Sequence, residues 1–114
     1  MINIELKFKD RVLKNIETDK SEISIGRSAN NDIQIDNLSV SVTHAKIIKH
    51  PDHYTIEDLN STNGTLLNDQ QIQKAKLSSN DIVTIGKHHL QIKSMGKSRP
   101  VVDDLADRTV KVSG

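Results

Sequence analysis

Cysteine and tryptophan are absent from this 114-residue chain, which has a single phenylalanine and a single tyrosine. The missing cysteine removes any disulfide framework and any thiolate metal site. The missing aromatics remove the platforms on which proteins stack unpaired bases, which argues against single-stranded nucleic acid as a ligand. An excess of either charge is missing too, with 16 Lys and Arg against 15 Asp and Glu. A net charge of +1 projects no field toward nucleic acid or an anionic membrane, so any anion recognition has to be local. Apolar runs end after two or three residues, far short of a membrane span. The opening MINIELKFKD lacks the apolar stretch of a secretory signal. The expectation is a soluble, cytoplasmic chain with no nucleic-acid or direct membrane contact.

What the chain does have is branched aliphatic residues: fourteen Ile, nine Leu and eight Val. Side chains branched at Cβ are stiff at χ1 and pack well on a pleated surface, so this set favours strands. With 34% apolar and 27% charged residues, a chain of this length makes one domain with one core. Ile2, Ile4, Leu6 and Phe8 alternate with Asn3, Glu5, Lys7 and Lys9, which is the period of a half-buried strand. Asp10-Arg11 predicts a turn into a second strand over residues 12–16. Further short strands are expected over residues 23–25, 33–35, 45–49, 54–59 and 82–85, with Leu90 and Ile92 finishing the pattern. Pro51-Asp52 marks a hairpin turn between two of them. Short strands separated by turn signals predict an all-β sandwich or barrel. The domain is expected to span residues 1–94. Residues 95–114 are expected to form a linker and tail, with residues 103–112 transiently helical.

Three segments stand between predicted strands: Gly26-Arg27-Ser28, Ser41-Val42-Thr43-His44 and Ser61-Thr62-Asn63-Gly64-Thr65. Loops at one end of a sandwich converge, and function concentrates there. These three offer an arginine fork, several hydroxyls, an asparagine amide and adaptable backbone at Gly26 and Gly64. Arginine matches phosphate bidentately, and each hydroxyl adds a donor. Donors gathered without an acid or base suit a bound anion better than a reaction. Asn63-Gly64 suits a tight turn that leaves the Asn63 amide free to reach a peptide backbone.

Taken in order, Gly26-Arg27, Val40-Ser41-x-x-His44 and Ser61-Thr62-Asn63-Gly64-Thr65 with Asn68 following resemble the forkhead-associated (FHA) domain, a phosphothreonine-peptide binding module. The stretch Leu77-Ser78-Ser79-Asn80-Asp81-Ile82-Val83-Thr84-Ile85-Gly86 resembles the family's penultimate strand and its preceding turn, and the likeness covers about residues 2–94. The resemblance implies a sandwich of two twisted, mainly antiparallel sheets with binding loops at one end. It implies that Arg27 and Ser41 hold the phosphate, that Thr62 donates to it by side chain or backbone, and that Asn63 bonds the peptide main chain. Gly26, His44 and Gly64 are then structural: two glycines for loop geometry and a histidine bracing the loops. Val42 departs from the pattern, since the family commonly has Arg or Asn there. Its N–H can still donate, but its side chain cannot. The implied partner is a phosphothreonine protein or peptide in Ser/Thr kinase signalling, with no cofactor, no metal and no catalysis.

Other readings of the same residues are weaker. Ser41, His44 and Asp58 can be read as a hydrolase triad, but no nucleophile elbow surrounds Ser41. His50, His53, His88 and His89 come in pairs without an obvious third ligand. Lys46, Lys49, Lys74, Lys76, Lys87 and Lys93 read as solvated strand faces. Thr109, the tail's threonine, is a candidate phosphosite for self-association through the domain's own pocket or a neighbour's. Val42 also sustains one alternative function: a degenerate FHA-like module binding an unphosphorylated partner surface.

Overall fold

A computed structural model describes residues 1–95 of the protein; Met95, expected in the tail, ends the last strand, while the rest of the expected tail, its helical stretch and Thr109 lie outside the described residues. Eleven strands form among the described residues, with no helix. They are β1 (Ile2–Phe8), β2 (Arg11–Thr18), β3 (Glu22–Gly26), β4 (Ile33–Gln34), β5 (Ala45–Lys49), β6 (Tyr54–Asp58), β7 (Thr65–Leu67), β8 (Gln70–Ile72), β9 (Lys74–Lys76), β10 (Ile82–Ile85) and β11 (His88–Met95). One sheet runs β2-β1-β11-β10-β7-β8 and the other β4-β3-β5-β6-β9. The strand pairs are antiparallel except β3 with β4. The expected all-β, two-sheet architecture is therefore the observed one.

The alternation seen in the sequence sets the core. Ile2, Ile4 and Leu6 of β1 are buried, as are Ile23 and Ile25 of β3, Ile47 of β5, Ile56 of β6, and Leu90 and Ile92 of β11. Two inner faces of this kind interdigitate into one aliphatic layer. Two strands differ from the expected 12–16 and 33–35: β2 is longer and β4 shorter. The first turn is Lys9-Asp10, with Lys9 at φ 57°, and Arg11 already belongs to β2. Val12 and Leu13 of β2 are both exposed, at 54% and 51%. The reason is a bulge on a sheet edge: Leu6 opposes Lys14 and Lys7 opposes Val12, which leaves Leu13 without a partner. The strand β4 stops at Gln34, yet Ile35 is buried and its N–H donates to Gly26 O at 2.8 Å.

The register decides which loops meet. Ile25 lies opposite Ala45, and Ala45 opposite Asp58. The end of β3, the start of β5 and the end of β6 are thus side by side, so the three connections leaving them share one end of the sandwich. The β5–β6 hairpin closes the other end, where His50 N–H donates to His53 O at 2.8 Å.

Candidate ligand-binding site

The first and second loops are joined through backbone. Arg27 N–H donates to Ser41 O at 2.9 Å, and Ser28 N–H to Val42 O at 3.3 Å. The Arg27 side chain folds back as well, with Nε donating to Val40 O at 3.1 Å. That bond anchors the guanidinium through its inner nitrogen. Its two terminal nitrogens have no partner among the described residues. Gly26 is needed here for space: a Cβ would lie 2.3 Å from Val42 O and 2.7 Å from Asn31 Nδ2.

The second and third loops are joined through side chains. Thr62 N–H donates to Ser41 Oγ at 3.0 Å, and Asn63 Nδ2 donates to Ser39 O at 2.8 Å. Fully buried His44 spans all of this from below. Its Nδ1 accepts from Ser41 N–H at 3.1 Å, so Nε2 carries the hydrogen and donates to Gly64 O at 2.8 Å. Both ring nitrogens are thereby committed to backbone, and neither meets Ser41 Oγ. The arrangement is a brace, not a nucleophile and its base.

Asp58 likewise faces the loop and not the histidine. It accepts from Ser61 Oγ, from Ser61 N–H at 3.2 Å and from Thr65 Oγ1 at 2.7 Å, while Gly64 N–H donates to Ser61 Oγ at 2.9 Å. Burial alone would raise this carboxyl's pKa. The donors from Ser61 and Thr65 outweigh it and hold the pKa below the ordinary carboxylate value.

Arg27, Ser41, Val42, Thr62, Asn63, Gly26, His44 and Gly64 are all brought together by these bonds. For Thr62 the geometry narrows the expectation, and Asn63 arrives differently from it. The Thr62 N–H is spent on Ser41, which leaves its hydroxyl as the donor with no partner among the described residues. The Asn63 amide is not free but closes on Ser39 O, an exposed contact that a competing carbonyl can replace. Two further residues were not singled out as site residues. Asn31 bridges the first two loops, donating to Val42 O at 2.8 Å and Ser28 O at 2.9 Å. Asp58 organises the third; the Asp-x-x-Ser spacing before it was the available signal, because such a carboxylate caps the turn that follows. The remaining histidines stand apart. His50 and His53 stack at 4.4 Å across the distant hairpin, and His88 packs on Phe8 at 4.7 Å. Among the described residues no three His, Cys, Asp or Glu side chains gather as a metal site.

Comparison with known proteins follows the same lines. The family model described as FHA domain matches residues 23–86, which contain all three loops. The chain is similar to an oxoglutarate dehydrogenase inhibitor of Corynebacterium jeikeium, at 35% identity over 72 residues, 63% of this chain and 50% of the relative. It is equally similar to the glycogen accumulation regulator GarA of Mycobacterium tuberculosis, at 35% identity over 63% of this chain and 44% of the relative. The chain thus spans about half the length of the curated relatives it matches. Among solved structures, the FHA domain of a Chlamydia trachomatis protein superposes with a TM-score of 0.77 at 25% identity, covering 83% of this chain and 98% of that one. Mycobacterium tuberculosis EmbR, solved with a low-affinity phosphopeptide, superposes with a TM-score of 0.74 at 25% identity, covering 86% of this chain and 26% of that one.

Proposed function

This chain belongs to the FHA domain family, and from that premise we propose that its three-loop cluster binds phosphothreonine on a partner protein and catalyses nothing. One observation carries the reading. The carbonyls of Val40, Ser41 and Val42 are bonded to the first loop, while the Arg27 terminal nitrogens, the Ser41 and Thr62 hydroxyls and the Val42 N–H have no acceptor among the described residues. A phosphothreonine brings roughly −1.5 to −2 charges and three acceptor oxygens, which is what such a donor set lacks. Arg27 supplies charge-assisted bonds, the hydroxyls and the Val42 N–H complete the oxygens, and Asn63 exchanges Ser39 O for a ligand carbonyl. A reader of kinase products works where ATP is, so the reading carries a cytoplasmic location and Ser/Thr kinase signalling with it.

Titration of the chain with a phosphothreonine peptide pool and its unphosphorylated twin tests the proposal. Preference for the phosphorylated pool is expected, with Arg27→Ala weakening it by about 2–5 kcal/mol, the range for breaking a desolvated charge pair. Equal affinity for the two pools would favour the degenerate module that binds an unmodified surface.

A further inference from the structure

Three consecutive carbonyl oxygens, of Val40, Ser41 and Val42, turn toward the loop that follows β3. They accept from Arg27 Nε at 3.1 Å, Arg27 N–H at 2.9 Å and Ser28 N–H at 3.3 Å. Val42 O takes a second donor, Asn31 Nδ2 at 2.8 Å, and this is the shorter of its two bonds. The peptide plane before Val42 is held by the Ser41 O bond. Because that plane is trans, its N–H points away from the first loop. The plane after Val42 is held at its carbonyl by Asn31 Nδ2 and, at the longer distance, by Ser28 N–H. Both planes flanking the Val42 Cα are therefore clamped, and the Val42 N–H is left without an acceptor among the described residues. These bonds also occupy three carbonyl oxygens, each of which would repel a phosphate if left free.

We infer that Asn31 is a positioning residue for phosphate recognition: its amide locks the Val42 carbonyl and so holds the Val42 N–H in the donor set. The inference rests on the phosphothreonine reading above. It also answers the question raised by valine at position 42. A side chain that cannot donate is offset by a main-chain N–H that is held in place, and what holds it lies eleven residues upstream. Aspartate at position 31 is nearly isosteric but has no donor, and it sets a carboxylate oxygen against the carbonyls of Val42 and Ser28.

The test uses the whole 114-residue chain, a degenerate peptide pool with one fixed phosphothreonine, and the unphosphorylated twin pool. Asn31→Ala and Asn31→Asp are expected to weaken binding of the phosphorylated pool roughly tenfold or more, the loss of one bond to a charged group. Binding of the twin pool is expected not to change. The Val42 amide resonance should move on saturation of the unaltered chain and stay still in both variants. A clamp that merely held the fold would lower the melting temperature without separating the two pools. Arg27→Ala is run alongside. If it binds the phosphorylated pool as the unaltered chain does, the phosphothreonine reading fails and this inference with it. If Arg27→Ala loses binding and both Asn31 variants keep it, this inference alone is overturned. Should both variants unfold, the unaltered chain decides: a Val42 amide that does not move at saturation overturns the assignment.

Discussion

At Gly26 a carbonyl oxygen stands where a side chain would go. Any Cβ there meets Val42 O at 2.3 Å, and that oxygen is backbone, held by Ser28 and Asn31. Gly26→Ala therefore has to push the first two loops apart. The expected cost is about 1–3 kcal/mol of stability, as for an overpacked interior, together with loss of phosphopeptide binding. Urea denaturation and the titration above read the two effects separately. Gly64 differs in cause. Its φ of +83° is the left-handed region, and the atoms nearest a Cβ there belong to the flexible Gln71 side chain. Gly64→Ala is expected to cost about 1–2 kcal/mol through backbone strain alone. Val42 shows how little a side chain's identity says when its backbone makes the contacts: it is 54% exposed, and what the structure uses is its carbonyl.

The connection from β6 to β7 is ordered by one carboxylate. Asp58 is 8% exposed and takes donors from Ser61 and Thr65, which curl the loop so that Thr62 and Asn63 reach Ser41 and Ser39. Its folded-state pKa is depressed, so its contribution to stability is fully present above the ordinary carboxylate value of 3.8. That contribution is lost as pH falls through the lower folded value. Asp58→Asn leaves a donor facing donors. It is expected to destabilise by about 1–3 kcal/mol and to flatten the acid limb of the stability curve. Urea midpoints measured above and below the carboxylate value check both. The β7–β8 hairpin supplies the opposite case. Its two-residue turn, Asn68-Asp69, holds both residues at positive φ, 51° and 70°. Asp69→Gly removes a side chain from a conformation that glycine adopts freely. A gain of up to about 1 kcal/mol is expected, read as a higher melting temperature.

Across the whole molecule, the sandwich separates the donor cluster from the β5–β6 hairpin at the far end. Tyr54 sits at that end, 4% exposed, with a phenolic oxygen that has no hydrogen-bond partner among the described residues. A buried hydroxyl without a partner is a cost, so Tyr54→Phe is expected to be neutral or to stabilise by about 1 kcal/mol. Phosphopeptide affinity should not move, because Tyr54 lies at the opposite end of β6 from the binding loops. A fall in affinity would mean that the two ends are coupled. The fold itself was largely legible. Alternation of Ile and Leu along β1, β3 and β11 is a period-two signal, and a period of two survives without knowledge of any neighbour. The edge strand β2 was harder to read, since Val12 and Leu13 are consecutive and only a bulge against Leu6 and Lys7 explains why both face solvent.

The site divides along the same line. Residue types in three glycine-punctuated loops were enough to suggest an anion site, and the resemblance of their order to the FHA domain is what singled out Arg27, Ser41, Thr62 and Asn63. That much is local chemistry, written in the sequence. What each group does with its hydrogen bonds is not local. The Thr62 N–H went to Ser41, His44 spent both ring nitrogens on backbone, Asp58 turned under its own loop, and Asn31 closed on a carbonyl of another loop. Only the register, which sets Ile25 beside Ala45 and Ala45 beside Asp58, brings those partners within reach. A hydrogen bond depends on distance and angle in three dimensions, and two loops far apart in the chain acquire both only when the sheets are assembled.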